Sequence, residues 1–510
     1  MIRRLFVMAT CVLLLLAGPA SASSSRTITI SSDGSAADRA DAVRRSVKRD
    51  VEGRGRKVEV EGAVGQMTVR PSKDSGVHVE ATLDFWSNSK EYMSLVEEKF
   101  DVQVRESGDS ISVVVEMPEP DKQPRSLTVN YDVKLTLAVP TGTPLEIDNR
   151  YGKVSIEGIR GSARVRNNSG DIELTGAKGT TYLESRYGGI VARDIDGPLE
   201  ASSSSGAIQV ERASADAILS SQYADVTAVD IKGRLEAKTS SGAVRASKIG
   251  GDARIVSSYG DVEVTDVTGG LEVDANSGAI RVKDVKKSAR LNTSYSGVEA
   301  ERIQGDLSVV TSSGTAKIVS IGGKLDLRGS YGDTTVQGTG GAATIEVGSG
   351  NVTASDIGGD LTIENSYGAV RASDVDGALK VGGSSTAVEA ARIAGAVTIQ
   401  TSYAGVGIQG AGGAVMVRNQ SGAVTVSGLT GGALTAKHDV RTSYADVRFE
   451  WPAAKGLTFS LESTYGSVKS DLPGRLSESG SRTRFEGANG DGRASATILA
   501  DNGSVTLRSQ

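Results

Sequence analysis

Histidine, the side chain most often asked to move protons or hold metals near neutral pH, occurs only twice, as His78 and His438. His78 falls in an alternating apolar stretch and His438 in an irregular one. Neither has a second His or Cys close in sequence to complete a ligand set or a Ser-His-Asp relay. The single cysteine, Cys11, lies in the first apolar run, so the chain beyond it has no thiol ligand and no disulfide. Gly338-Thr339-Gly340-Gly341 resembles a phosphate-cradling loop, but no helical pattern follows to present its N-terminus to a phosphate. We therefore expect no catalytic residue, no metal and no cofactor.

Carboxylates need more thought, because β-helical polysaccharide lyases and glycosidases set Asp and Glu along one face of a solenoid. Asp194, Asp230, Asp266, Asp284, Asp356 and Asp374 all stand just before a corner aliphatic. An active site is a local exception, whereas these residues follow a rule. The recurrence favours turn stabilisation through side-chain to backbone bonds, with ion binding as a second reading.

A third group could bind rather than react. Tyrosine recurs at Tyr151, Tyr187, Tyr223, Tyr259, Tyr295, Tyr331, Tyr367 and Tyr403, with a constant spacing of 36. Halfway between each pair, and again after the last, stands a serine: Ser169, Ser205, Ser241, Ser277, Ser313, Ser349, Ser385 and Ser421. The rings either fill the space that small residues leave at a corner, or form a column on which sugars stack.

Those spacings define the element that must position them. The repeat has a period of 18, the step from Tyr151 to Ser169, and sixteen copies run on from Tyr151. Counting the Tyr or Ser as position zero, Gly follows it in twelve of the sixteen copies and stands at position ten in fourteen. Two glycine columns imply two corners that need positive φ or close backbone approach. Apolar residues fall at positions three and five (Val262, Val264; Ile280, Val282), eight (Val267, Val285), and twelve and fourteen (Leu271, Val273; Ala289, Leu291). Spacing by two is strand periodicity, so each copy carries two short strands and an apolar plug at one corner.

One copy cannot bury five side chains, but neighbours stacked about 4.8 Å apart can. Sixteen coils would give one rod on the order of 75 Å long. The outward positions point to the same register: position four reads Arg245, Glu263, Arg281, Glu299, Lys317, and position thirteen reads Glu236, Arg254, Glu272, Arg290. Opposite charges then meet on adjacent rungs. Inward residues in pairs two apart, rather than one every six, favour a flattened or right-handed solenoid over a hexapeptide left-handed helix. The absence of a GGxGxD series excludes calcium-binding nonapeptide repeats.

The ends depart from the repeat. Arg3 and Arg4, the apolar run Leu5 to Ala17 and Ala20-Ser21-Ala22 have the three parts of a secretory signal, so residues 1–22 are expected to be removed near Ser23. Loss of the two arginines takes the formal charge from -5 to -7, which argues against a nucleic-acid partner. No later stretch approaches twenty apolar residues, so no transmembrane segment is expected after the signal is removed.

Residues 23–140 read as an α+β or β-rich capping domain. Ala40, Val43, Val47 and Val51 have helical spacing, with Arg39, Arg44, Arg45, Lys48 and Arg49 on a solvated face that could also meet an anionic surface. Strands follow at 57–61, 67–70 and 77–83, then a short acidic helix at 89–100, then strands at 102–105, 110–116 and 127–139. The solenoid occupies 141–436. Past Thr435 the register breaks, and 437–510 reads as irregular coils and a cap. The segments 437–443 and 451–459 are the distortions, and a final strand, turn and strand around Asp501-Asn502-Gly503 closes the chain. The whole is all-β: a single-chain parallel β-solenoid, or β-helix, with a smaller α+β N-terminal capping domain.

Val139-Pro140-Thr141-Gly142, Leu145-Glu146-Ile147 and the first Tyr151-Gly152 coil resemble the bacterial β-strand-repeat family of unknown function whose members carry the name "putative adhesin". Gly490-Asp491-Gly492 and Asn502-Gly503-Ser504-Val505-Thr506-Leu507 resemble that family's closing segment. The resemblance implies a cell-envelope setting and supplies no catalytic residue. Together these readings lead us to expect an exported, non-enzymatic scaffold in the periplasm or at the cell surface, with envelope polymers, glycans or surface proteins as partners. The alternative is a carbohydrate-binding or carbohydrate-active β-helix protein.

Overall fold

The computed structural model describes residues 27–31, 36, 39–53, 55–119 and 126–510, so the expected signal at 1–22 lies outside the described residues. The chain divides into two compact units, Met1–Gly242 and Ala243–Gln510. Each is built from stacked parallel coils, and such β-solenoid turns number about 16 along the chain.

In the first unit, Val154, Ile172, Ile190, Ile208 and Val226 follow one another as direct partners on successive strands, each one period further along the chain. All five are buried. In the second unit the corresponding file runs Val244, Val262, Ile280, Val298 and Ala316. Each buried aliphatic contributes roughly 1.5–3 kcal/mol, so the files hold the stack together. The outward charges match them: Arg245 sits opposite Glu263, Glu263 opposite Arg281, and Glu299 opposite Lys317, the last pair 3.0 Å apart. Exposed pairs of this kind give about 0–1 kcal/mol each, so they select register more than they stabilise.

Positive φ occurs in the glycine columns, at Gly152, Gly170, Gly332 and Gly350 among others, and also at a position that the glycines do not mark. Every residue at position seven, from Gly158 through Asp194, Arg302 and Asp356 to Gly428, has φ between 54° and 84°. Position seven also drops out of the ladder: Arg193 pairs with Glu211 and Ile195 with Ala213, while Asp194 is skipped. One left-handed residue turns the corner and returns position eight to the interior. Asp tolerates that conformation better than most side chains, which explains the recurring aspartates. The glycine columns answer to close approach as well as to positive φ: a Cβ on Gly206 would stand 2.0 Å from the Gly188 carbonyl oxygen.

Two further expectations are corrected. Val43–Glu52 is a strand, not a helix, antiparallel to Gly76–Ser87. Valines four apart satisfy a period of two as well as one of 3.6. The long-range partner decides between them, with Arg44 opposite Asp84 and Lys48 opposite Glu80. The acidic helix does form, over Lys90–Lys99, capped by Ser89, whose Oγ accepts from the Tyr92 N–H; Tyr92 packs edge-on against Phe85 at 5.2 Å.

At the C-terminal end, Lys437–Thr442 is a regular strand, parallel to Val415–Asn419. The extra residues sit just before it, in a 3-10 turn over Gly431–Thr435. The final strands Ala494–Ala500 and Val505–Ser509 do not close the chain as a cap. They form a coil inserted between two earlier ones: Ala494–Ala500 lies between Lys437–Thr442 and Leu457–Ser463, and Val505–Ser509 between Val447–Trp451 and Val468–Ser470. The antiparallel hairpin of Arg475–Ser479 and Arg482–Asn489 covers Leu457–Ser463. At the other end, Lys57–Val64 and Gln66–Pro71 form a coil stacked on Leu145–Tyr151 and Val154–Glu157.

Candidate ligand-binding face

Position sixteen, which the sequence reading passed over, builds the corner that carries the tyrosines. It continues the inward alternation of positions twelve and fourteen, but on most rungs with Ser, Thr or Asn. Ser203 Oγ donates to the Gly188 carbonyl at 3.0 Å and accepts from the Gly206 N–H at 2.9 Å. Thr239, Asn419 and Ser463 bond similarly at their own corners. A buried hydroxyl or amide thus ties most of these corners to the rung before it, Ala275, Gly329, Val347 and Gly383 being exceptions, and its recurrence two places after an apolar column was the available signal.

Above this ladder the tyrosines face solvent. Tyr187 is 57% exposed, Tyr465 is 71%, and Tyr223, Tyr259, Tyr295, Tyr331, Tyr367, Tyr403 and Tyr444 fall between. Tyr151 is half-buried. Beside it, Tyr131 has its phenol pushed up to about 12, by burial first and then by the Tyr151 phenol. Each of the exposed tyrosines keeps more than half of its accessible surface open to solvent.

Two of those rings, Tyr444 and Tyr465, were not in the expected column. Val424 pairs with Val447, Val447 with Val505, and Val505 with Val468. Counting back three places puts Ser421, Tyr444, Asn502 and Tyr465 at position zero of successive rungs. Ring and small residue therefore keep alternating through the end of the second unit, because the last coil in sequence is not the last in space.

Of the position-seven aspartates, Asp284 and Asp356 line one open surface cleft together with the cations Lys286 and Arg302. Asp194, Asp284 and Asp374 are each gripped by the arginine one rung on: Arg212 Nε at 2.6 Å, Arg302 Nε at 2.7 Å and Arg392 Nε at 2.6 Å, with Nη2 on the second oxygen. These guanidiniums hold the three carboxyls below the usual carboxylate range. The side-chain to backbone bonds belong to other aspartates. Asp171, Asp261 and Asp333 at position two, and Asp216, Asp252, Asp306 and Asp360 at position eleven, accept a backbone N–H from the next rung at 2.7–2.9 Å.

Both histidines have structural surroundings. His78, half-buried, lies between Asp50 at 2.6 Å and Asp74 at 2.9 Å, and these carboxylates raise its pKa. His438 is buried, with Nε2 donating to the Ala433 carbonyl at 2.8 Å and Nδ1 accepting from the Val415 N–H at 3.2 Å. Burial holds it below the ordinary imidazole value. Among the described residues no group of three or more His, Cys, Asp or Glu could hold a metal ion, and no helix is long and apolar enough to cross a membrane.

The first unit's stacked coils, entered through an inserted N-terminal segment, have a family counterpart. Residues 22–229 match the Toastrack DUF4097 family. The matched segment ends within the repeat, which continues beyond it with the same period. No curated protein matches the chain. Among solved structures, one named a "putative cell adhesion protein" from Clostridium sporogenes is 7% identical, covering 92% of this chain and 100% of its own, with a TM-score of 0.14. A "putative adhesin" from Parabacteroides merdae is 10% identical, covering 60% and 99%, with a TM-score of 0.21. Another from Bacteroides fragilis is 12% identical, covering 56% and 97%, with a TM-score of 0.18.

Proposed function

We propose that this chain is an exported, non-enzymatic adhesin or cell-envelope binding scaffold that engages its partner through the tyrosine-bearing corner. The observation that carries this reading is the row of tyrosines exposed on alternate rungs above a corner fixed by buried hydroxyls and amides. Large aromatic rings held in solvent on rigid backbone offer contact area at little entropic cost, which suits binding. The arginine and lysine partners of the outward carboxylates suit a structural role for those carboxylates.

The test measures retention of the purified chain on isolated bacterial envelopes, beside a variant carrying Tyr259→Ser, Tyr295→Ser and Tyr331→Ser. Serine is the natural residue at position zero of the intervening rungs, so the variant should fold. Retention by the native chain and its loss in the variant support the reading. Cleavage of a polysaccharide panel that a single Asp or Glu substitution abolishes would instead establish the carbohydrate-active alternative.

A further inference from the structure

Resting on that reading, we infer that the tyrosine row of the second unit binds a neutral, β-linked polysaccharide with a two-sugar repeat, laid along the stacking direction with one ring for each repeat.

Spacing is the first argument. Rings at position zero of Tyr259, Tyr295, Tyr331, Tyr367 and Tyr403 stand on every second rung, about 9.6 Å apart at the usual strand separation. That is close to the length of an extended disaccharide unit, whose flat apolar sugar face recurs once per repeat on a given side. The period is kept where the sequence spacing fails. Tyr444 and Tyr465 are closer in sequence than any two rings of the regular column, yet the rung carrying Asn502 lies between them. Asn502 N–H donates to the Ser443 carbonyl at 2.7 Å, and Tyr465 N–H to the Asp501 carbonyl at 2.8 Å. Seven rings therefore keep one period.

Charge is the second. Across the strip from one residue before position zero to two residues after it, the second unit has no Lys or Arg on any rung from Ser258 to Ser504; it reads Ser-Tyr-Gly-Asp, Asn-Ser-Gly-Ala, Ser-Tyr-Ser-Gly and onward in the same style. The aspartates at the last place of the strip, Asp261, Asp333 and Asp446, each use one oxygen to accept a backbone N–H from the next rung. One guanidinium reaches the strip's edge, Arg281 Nη1 at 3.3 Å from the second oxygen of Asp261, where the carboxylate offsets it; other cations are engaged away from the strip, for example Lys317 on Glu299 and Arg302 on Asp284. An anionic polymer would need cations on the strip to bind it. A peptide adding as a strand would need an open edge, whereas strands from Val262–Val267 to Val406–Ala411 are paired on both sides. Aromatic faces rimmed by hydroxyls, amides and glycines fit the apolar faces and hydroxyl edges of neutral sugars.

The experiment titrates the full chain calorimetrically with neutral β-linked glucan and N-acetylglucosamine oligomers of two to about eight sugars, with polygalacturonate oligomers as the anionic arm. Affinity should rise in steps of two sugars. Tyr331→Ser and Tyr367→Ser should each weaken the longest neutral oligomer by about 3- to 10-fold, with an unchanged circular dichroism spectrum. Preference for the anionic chain, or affinity indifferent to ring removal, overturns the inference. If no neutral oligomer binds but ring removal still abolishes envelope retention, the ligand class is wrong and the binding face stands. If ring removal affects neither, both fall. Self-association in sedimentation that the same substitutions abolish assigns the row to a second copy of this chain and overturns the glycan.

Discussion

Tyr465 donates its backbone N–H to the carbonyl of Asp501 at 2.8 Å, so the last coil of the sequence lies inside the stack rather than at its end. Its two strands are paired on both sides, and Ile498 is fully buried between Val440 and Leu461. The exposed end of this region is covered instead by the hairpin of Arg475–Ser479 and Arg482–Asn489.

Ile498→Ala should therefore destabilise like a mid-stack core substitution, by about 2–5 kcal/mol, although it lies near the chain end. Chemical denaturation beside Ile280→Ala checks this. A cost well under about 1 kcal/mol would mean that the last coil frays and does not hold neighbouring rungs together.

The left-handed corner makes an exposed position sensitive. Asp266 is exposed with φ 59°, so Asp266→Gly should be close to neutral, whereas Asp266→Val should cost about 1–2 kcal/mol through backbone conformation alone. Thermal unfolding of the two variants separates them, and equal stability would remove the conformational account of position seven.

His78 and Asp74 give the N-terminal strands a pH window. Hydrogen bonds to Asp50 and then Asp74 raise the His78 pKa, so its contribution is fully present below about 6.5 and is lost as pH rises through the raised value. Asp74 is pulled down to about 2, first by its bond to His78, so its contribution is present above the ordinary carboxylate value and is lost as pH falls towards 2. His78→Gln should flatten the decline in stability between about pH 6 and 8. Denaturation at both pH values checks it, and an unchanged slope would show that the pair does not act.

His438 replaces a carbonyl. The N–H groups of Leu379 and Val397 donate to the carbonyls of Ala396 and Ala414 on the next rung, but Val415 N–H meets His438 Nδ1 because the turn at Gly431–Thr435 interrupts the series. His438→Leu should leave that buried N–H unpaired, at a cost of about 1–3 kcal/mol. Because burial depresses the histidine's pKa, the native chain should also lose stability as pH falls below about 6.5, where the unfolded chain takes up the proton first. Nitrogen NMR should show the proton on Nε2; a proton on Nδ1 would contradict the assignment.

Much of this was legible from spacing. The inward columns, the charge register and the tyrosine order up to Tyr403 each recur with a period of 18 or twice that, and repetition turns a weak local signal into a strong one. The helix after Ser89 was legible from its cap and its acidic first turn. Val43–Glu52 was not, because valines four apart suit helix and strand alike and the choice rests on a partner strand, Gly76–Ser87, that lies well along the chain. The position-sixteen ladder was visible as a column of Ser, Thr and Asn, but only the carbonyls it meets give it a role.

The sequence alone determined the coil length, the faces of each strand, the stacking register and the residue at each corner, because a strictly periodic pattern buries its apolar side chains in only one register. The tertiary structure decided which coils are neighbours at the ends, that position seven is left-handed on every regular coil whatever its residue, and that Asn502 separates Tyr444 from Tyr465. Those outcomes depend on backbone hydrogen bonds between segments distant along the chain, and in a stack of similar coils no local pattern says which coil takes which place.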